Sequence, residues 1–319
     1  MLERHRGTSW ATIGPSSRQE PLTLQCAKQI VRTAIFIAAC VICLIGALIA
    51  CGCDYVNATT QTTAVQGEIK VRYLDVGQGD ATLISCNGHH LLIDGGPVSA
   101  SSKIYSILDA LDITELDAII ATHPDVDHIG GISGALNHAT AAAYYCSTNE
   151  NEAKAFSIMK EQIEKAGGTL TVPTAGQSFA LGDAIVTFIG PVETFDSDND
   201  QSLIVRIDFG SSSFLFTGDA EQAAESSLVN AKAKLSADVL QVGHHGSSTS
   251  TTEAFLKAVK PKYAVISVGE NEYGHPHQSV LNRLEKAGVE TLRTDTAGNV
   301  VFASDGTTIS YTTTNWISD

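Results

Sequence analysis

A four-layered α/β sandwich, two sheets face to face with helices on both outer sides, is the fold class this sequence predicts, and three observations predict it. Short β-rich runs alternate with amphipathic helical patterns beyond residue 68. These runs form two loosely similar series, one in each half of the chain. Several strands end in loops written in Gly, Asp and His rather than in ordinary turn residues. With 319 residues and 43% hydrophobic content, the chain can bury a sizeable core in one large or two ordinary domains.

Residues 1–33 mix Arg, Ser, Pro and Gln without periodicity and read as a disordered cytoplasmic leader. Ala34 to Ala50 carries no charge and follows Lys28 and Arg32, which predicts a single N-terminal membrane segment whose leading side faces the cytoplasm. The run closes Leu48-Ile49-Ala50-Cys51, similar to the lipobox in which a bacterial lipoprotein's cysteine is diacylated. Residues 34–53 are therefore either a signal segment with Cys51 as the lipidation site or an uncleaved anchor. Both readings put the remainder on the extracytoplasmic face of a bacterial cell membrane. A tether rich in Thr, Gln and Ala occupies 54–67, and the folded body is 68–319.

The body opens with strand signals at Ile69 to Leu74, Ala81 to Ser85 and Leu91 to Ile93, separated by Gly and Asn turns. Helical periodicity follows at Lys103 to Leu111 and Asn151 to Ala166, with a strand at Ala118 to Ala121 between them. The second series has strands at Ala184 to Ile189, Ser202 to Phe209, Ser213 to Thr217, Val239 to Val242, Tyr263 to Ser267 and Val300 to Ala303, with a helix at Val280 to Ala287. Only Cys86 and Cys146 of the seven cysteines fall in the body, and no CxxC pair does, which argues against a zinc knuckle there. Whether those two pair or stay buried thiols is open.

The densest chemistry lies at Thr122-His123-Pro124-Asp125-Val126-Asp127-His128, directly after the strand at Ala118. Two imidazoles and two carboxylates on a loop at a strand's end are positioned to converge on a metal such as Zn or Mn. Other segments must complete the set. Phe216-Thr217-Gly218-Asp219 puts a carboxylate after one strand, and Val242-Gly243-His244-His245-Gly246-Ser247 puts two imidazoles after the next. Asp75-Val76-Gly77-Gln78-Gly79-Asp80 and Asp94-Gly95-Gly96 follow strands too, and their glycines allow close backbone approach to the same site.

Taken together, YLDVGQGDATLI at Tyr73, LLIDGG at Leu91, THPDVDHIGG at Thr122, NDQSLIV at Asn199, FLFTGDAE at Phe214, DVLQVGHHGS at Asp238 and YGHPH at Tyr273 resemble a metallo-β-lactamase-fold hydrolase of the type found as the C-terminal domain of ComEC competence proteins. The resemblance implies two divalent metal ions, Mn2+ or Zn2+. His123 and Asp125 would hold one, Asp127 and His128 the second, and Asp219 would bridge them. One of His244 and His245 would complete the second site, and the other would face the substrate. Asp94 would orient a ligating histidine from behind. Most of the superfamily has histidine in place of Asp125 and another where this chain has Asn199 and Asp200, so Asn199 is expected beside the ligands. Oxygen in place of imidazole tilts the first site toward manganese.

Such a pair of ions activates water and clamps an in-line displacement. Asp127 is expected to accept a proton from the water, and His275 to stabilise or protonate the leaving group. The resemblance favours phosphodiester substrates, with extracellular DNA as the implied polymer. Hydrolysis of another ester, a lactone or a cell-surface polymer is the alternative, as is an inactive binding or regulatory module on the same scaffold. Charge limits the nucleic-acid reading. Five of the 20 basic residues and two of the 35 acids precede the apolar run, leaving 15 and 33 beyond it, a balance of −18. That surface repels polyanions, so no stable nucleic-acid complex is expected.

Overall fold

Ile69, Val71 and Tyr73 point to one face of the first strand and are buried, as period-two patterning requires. They begin an eight-stranded sheet. The computed structural model describes residues 65–316; the leader, the segment at 34–53 with Cys51, and the tether up to residue 64 lie outside the described residues. Among the described residues no helix is long and apolar enough to cross a membrane.

In chain order the strands are β1 (Ile69–Tyr73), β2 (Thr82–Cys86), β3 (His89–Ile93), β4 (Glu115–Leu116), β5 (Ala118–Ala121), β6 (Thr140–Ala141), β7 (Tyr144–Cys146), β8 (Leu170–Thr171), β9 (Ser178–Leu181), β10 (Ala184–Gly190), β11 (Ile204–Phe209), β12 (Ser212–Phe216), β13 (Val239–Gln241), β14 (Tyr263–Ile266), β15 (Glu290–Arg293), β16 (Asn299–Ser304) and β17 (Ile309–Thr314). One sheet runs β17-β16-β1-β2-β3-β5-β7-β8 and the other β15-β14-β13-β12-β11-β10-β9, while β4 and β6 form a small ribbon.

Three apolar layers give the sandwich its order. Tyr73, Ile84, Phe188, Val205, Phe214, Phe216 and Phe302 fill the space between the sheets. Outside the first sheet, Leu83 and Leu92 meet Ile104, Ile107 and Leu108 of the helix Ser101–Ala110, together with Phe156 and Met159 of the helix Lys154–Lys165. Outside the second, Leu215 and Leu240 meet Leu228, Phe255, Leu256, Val280 and Leu284. These come from the helices Gln222–Asn230, Glu253–Val259 and Gln278–Lys286.

The half-chain division holds with one correction. β16, expected in the second series, pairs antiparallel with β1 from Ile69↔Ser304 to Tyr73↔Val300. The open edge of β1 and the apolar side chains of Val300 and Phe302, both buried in the inter-sheet layer, account for this return. Cys86 and Cys146 are buried free thiols.

What positions the site is the parallel core of each sheet. β3, β5 and β7 run parallel in the first, and β12, β13 and β14 in the second. Loops leaving the carboxyl ends of neighbouring parallel strands share one rim, the usual place for a ligand in such sheets. The two rims are joined where Leu203 N donates to Thr122 O at 2.8 Å.

Candidate metal centre

The motif after β5 does not stay a loop: Val126–Ile129 makes a helical turn, with His128 N and Ile129 N donating back to Asp125 O. Its glycines serve backbone contact. A methyl on Gly131 would lie 2.0 Å from Gly95 O, and Gly131 N donates to Gly96 O at 2.8 Å, so the DGG loop after β3 packs directly on the motif. The GQGD loop closes from the other side, with Asp80 N donating to Asp127 O at 3.1 Å. Gly79 allows that approach, since a Cβ there would stand 2.2 Å from Asp127 O.

Two consecutive histidines reach one point because their backbone is unusual. His244 (φ 49°, ψ 47°) and His245 (φ 52°, ψ 25°) both occupy the left-handed region, a conformation that costs about 1 kcal/mol or more for a residue with a Cβ. Asp94, at φ 55°, does the same. Strain of this kind persists where the surrounding structure holds it in place.

The side chains form two groups around one carboxylate, Asp219. On the Oδ1 side stand His128 Nε2 at 3.1 Å and His245 Nε2 at 3.6 Å, with Asp127 Oδ2 3.2 Å from the latter. On the Oδ2 side stand His244 Nε2 at 3.6 Å and His123 Nε2 at 3.9 Å, with Asp125 Oδ2 3.7 Å from His123. The two members of the His pair thus separate. His245 joins Asp127 and His128, and His244 faces the same side of Asp219 as His123.

Every one of these imidazoles presents Nε2 to the cluster and commits Nδ1 elsewhere. His128 Nδ1 lies 3.0 Å from Asp94 Oδ2, whose carboxylate also accepts from Thr122 N and Thr122 Oγ1. His245 Nδ1 donates to Ser267 O at 2.9 Å. His244 Nδ1 lies 3.1 Å from Glu221 Oε1, and His123 Nδ1 lies 3.1 Å from Thr122 Oγ1. A partner on Nδ1 leaves the Nε2 lone pair bare, the tautomer a metal requires.

That requirement is visible as unmet bonding. Nε2 of His123, His128 and His245, Oδ1 of Asp219, and both carboxylate oxygens of Asp80 are buried without a hydrogen-bond partner. Buried polar atoms are rarely orphaned, and imidazole Nε2 atoms gathered bare around one carboxylate fit a site for a cation. Burial alone would raise the Asp219 carboxyl, yet His245, His128 and His123 hold it well below the usual carboxylate range. Burial alone would lower the imidazoles, yet Asp219 and its neighbours hold His128 well above its ordinary value and push His245 up to about 9. Burial would likewise raise Asp127, but contact with His245 and the nearby His128 bring it below its ordinary value. Each shift comes from carboxylates and imidazoles facing one another, and such a buried N/O donor set suits divalent cations.

Asp80, whose loop the sequence places near the site, is the residue to which sequence reasoning gave no role. It is buried, its Oδ2 lies 3.8 Å from His245 Nδ1 and 4.0 Å from His128 Nδ1, and burial raises its carboxyl. With His128, Asp219 and His245 it forms a buried group whose donor atoms all lie within 4.8 Å of one another. The signal was the aspartate closing a two-glycine loop after a strand. Asn199 lies on the loop before β11, where its carbonyl accepts from Ser202 N. Its neighbour Asp200 is used structurally, accepting Glu221 N and Ala224 N at the start of the helix Gln222–Asn230. His275 sits at the rim, its ring centroid 5.3 Å from that of His244 and 6.4 Å from that of His245. Its Nδ1 is buried without a partner, and burial, then His244 and His245, lower it to about 4.

The family model described as Metallo-beta-lactamase superfamily matches residues 74–270. ComE operon protein 3 of Bacillus subtilis is 33% identical over 260 residues, 75% of this chain and 33% of that protein. Competence protein ComA of Neisseria gonorrhoeae is 33% identical over 241 residues, 74% of this chain and 32% of that protein. The chain therefore spans about a third of the length of these curated relatives. The metallo-beta-lactamase fold protein YhfI from Bacillus subtilis is alike in fold, with a TM-score of 0.51 at 16% identity over 75% of this chain and 100% of that one.

Proposed function

The chain belongs to the metallo-β-lactamase superfamily, and on that premise we propose that it is a dinuclear metal-dependent phosphodiesterase acting outside the cytoplasm. The observation that carries this reading is the division of donors about Asp219, with imidazole Nε2 atoms facing each of its two oxygens. His123, Asp125 and His244 would hold one ion with Asp219 Oδ2, and Asp127, His128 and His245 the other with Oδ1. This assigns both members of the His pair as ligands and leaves Asn199 outside the set. When bound, divalent ions supply Lewis acidity and lower the pKa of a water toward about 7.

The rest of the work falls to the chain. Asp94, Glu221, Ser267 and Thr122 fix the ring orientations through the Nδ1 contacts, so the donor geometry is set before substrate arrives. Asp127, the more open carboxylate of its group, accepts the proton of the attacking water. His275, neutral at the rim, donates a hydrogen bond to the developing negative charge on the leaving oxygen. Layered helices and the buried wall of His123, His128 and Asp219 exclude bulk water from behind the donors.

Support for phosphodiesters comes from the motifs' resemblance to ComEC-type domains and from the similarity to competence protein ComA of Neisseria gonorrhoeae. Support for the location comes from the charge-free run Ala34 to Ala50 behind Lys28 and Arg32. Metal analysis of the purified full chain, followed by hydrolysis of bis-p-nitrophenyl phosphate and of DNA with added Mn2+, tests the reading. Two ions per chain and turnover are expected, with turnover abolished in Asp219→Asn. Absence of both metal and turnover would sink the enzyme reading, and turnover of the small diester without DNA would narrow the substrate. Mass spectrometry of the mature N-terminus distinguishes acylation at Cys51 from an intact anchor.

A further inference from the structure

Tyr273 is 71% exposed, the largest exposure among the large hydrophobic side chains that stand out at the surface of the described residues. A single exposed apolar residue is ordinary, but this one is not free to wander. Asn271 ties its loop with four hydrogen bonds: Nδ2 donates to Gly269 O and His275 O, and Oδ1 accepts from Tyr273 N and His275 N. At the far end of the loop, His277 N donates to Gly246 O at 2.9 Å, fastening it to the His244-His245 turn.

The ring also has a direction. Tyr273 lies 5.7 Å from His275 at an interplanar angle of 30°, and His275 lies 5.3 Å from His244 at 77°. His244 in turn presents Nε2 to Asp219. A file of aromatic rings therefore leads from solvent to the donor cluster, and its outermost member is an open π-face on a pinned backbone.

Charge explains why such a face would matter. A body with a balance of −18 gains little from phosphate neutralisation, the usual source of affinity for nucleic acid. Stacking of a base on an aromatic side chain needs no positive charge, tolerates any base, and typically changes affinity about tenfold. A base within a duplex already has both faces covered, so only an unpaired base can use the platform.

We propose that Tyr273 is a stacking platform for an unpaired nucleobase next to the scissile phosphodiester, which makes strand ends and single strands, rather than duplex, the substrates of this site. The proposal rests on the phosphodiesterase reading for its reaction but stands separately as a binding site.

The test uses the metal-loaded full chain and a probe that is not a diester, 2-aminopurine deoxynucleoside 5′-monophosphate, whose fluorescence is quenched on stacking. Deoxyribose 5-phosphate, which lacks the base, competes as the control. The parent and Tyr273→Phe are expected to bind the nucleotide alike, and Tyr273→Ala and Tyr273→Leu to bind it about tenfold more weakly. Affinity for the sugar phosphate should be the same in all four. Metal content and melting temperature establish that the variants are folded. Equal affinity of the parent and Tyr273→Ala for the nucleotide overturns the platform, as does an equal loss for nucleotide and sugar phosphate, which would mean that the ring only shapes the loop. Tyr273-dependent binding in a chain that hydrolyses no phosphodiester keeps the platform and overturns the phosphodiesterase reading instead.

Discussion

Glu221 decides what His244 can offer. Its Oε1 faces His244 Nδ1 at 3.1 Å and also accepts from Thr249 Oγ1 at 2.7 Å, so the carboxylate is fixed from two directions. Removing it frees the ring to rotate and to protonate on the wrong nitrogen. Outer partners of ligating histidines typically change metal affinity by about 10- to 100-fold. Glu221→Ala should therefore lose metal from one site on dialysis against a weak chelator while the other stays filled, read as a fall from two ions toward one per chain. Retention of both ions would remove His244 from the ligand set. His275 makes the opposite prediction. It touches the reacting region through the rim and has no part in holding metal, so His275→Ala should keep both ions and lower kcat by about 100-fold or more. A loss concentrated in KM would recast it as a binding residue.

At the scale of elements, the helix Gln222–Asn230 is tied to the turn after the His pair through one buried carboxylate. Glu225 accepts from Thr251 N and from Thr252 N, and Arg283 donates to Ser250 O and Thr251 O beside it. Burial, only partly offset by these hydrogen bonds, raises Glu225 to about 7. The unfolded chain ionises the same group near its ordinary value of 4.5. Between those two values the folded state holds a proton that the unfolded state has lost, so stability falls as pH rises through this window. The span corresponds to roughly 3 kcal/mol as an order of magnitude. Urea midpoints measured from pH 4.5 to 8 should show Glu225→Gln losing this part of the decline relative to the parent. Parallel profiles would show that the carboxyl is not raised. Such contacts explain what was legible in the letters and what was not. The strands β1, β3, β5, β11 and β12 announced themselves by apolar runs, and each ligand-bearing loop followed a strand whose end could be read. The helices Gln222–Asn230 and Glu253–Val259 are short, and their buried faces are set by the sheet beneath them rather than by a long periodic pattern. The choice between His244 and His245 was closed to sequence because it depends on two left-handed backbone conformations. For Asp80 the sequence placed its loop near the site, but its position beside two imidazoles is a matter of tertiary approach, permitted by Gly79.

Across the whole molecule, the donors come from both sheets. His123, Asp125, Asp127 and His128 in the motif after β5 belong to the rim of the first, and Asp219, His244 and His245 to the rim of the second. Ions held between them would act as a clasp on the sandwich, adding to the inter-sheet apolar layer at the end where that layer gives way to polar side chains. The energetic consequence follows from linkage: a ligand that binds only the folded state stabilises it by about 2.7 kcal/mol when its free concentration is 100 times its dissociation constant. In a domain of this size 1 kcal/mol shifts the melting temperature by roughly 2–4 °C, so saturation at that level corresponds to a shift of about 5–10 °C. Chelation should lower the melting temperature of the full chain by that order, and Mn2+ or Zn2+ added back should restore it in a concentration-dependent way. The ion that restores it at the lower free concentration is the one this mixed imidazole and carboxylate donor set prefers. Asp219→Asn, which weakens both halves of the clasp, should melt at the same temperature with and without added metal. A parent chain equally indifferent to chelator and ion would mean that the orphaned donors are satisfied by water alone, and the two sheets would then be held by their apolar layer without help from the site.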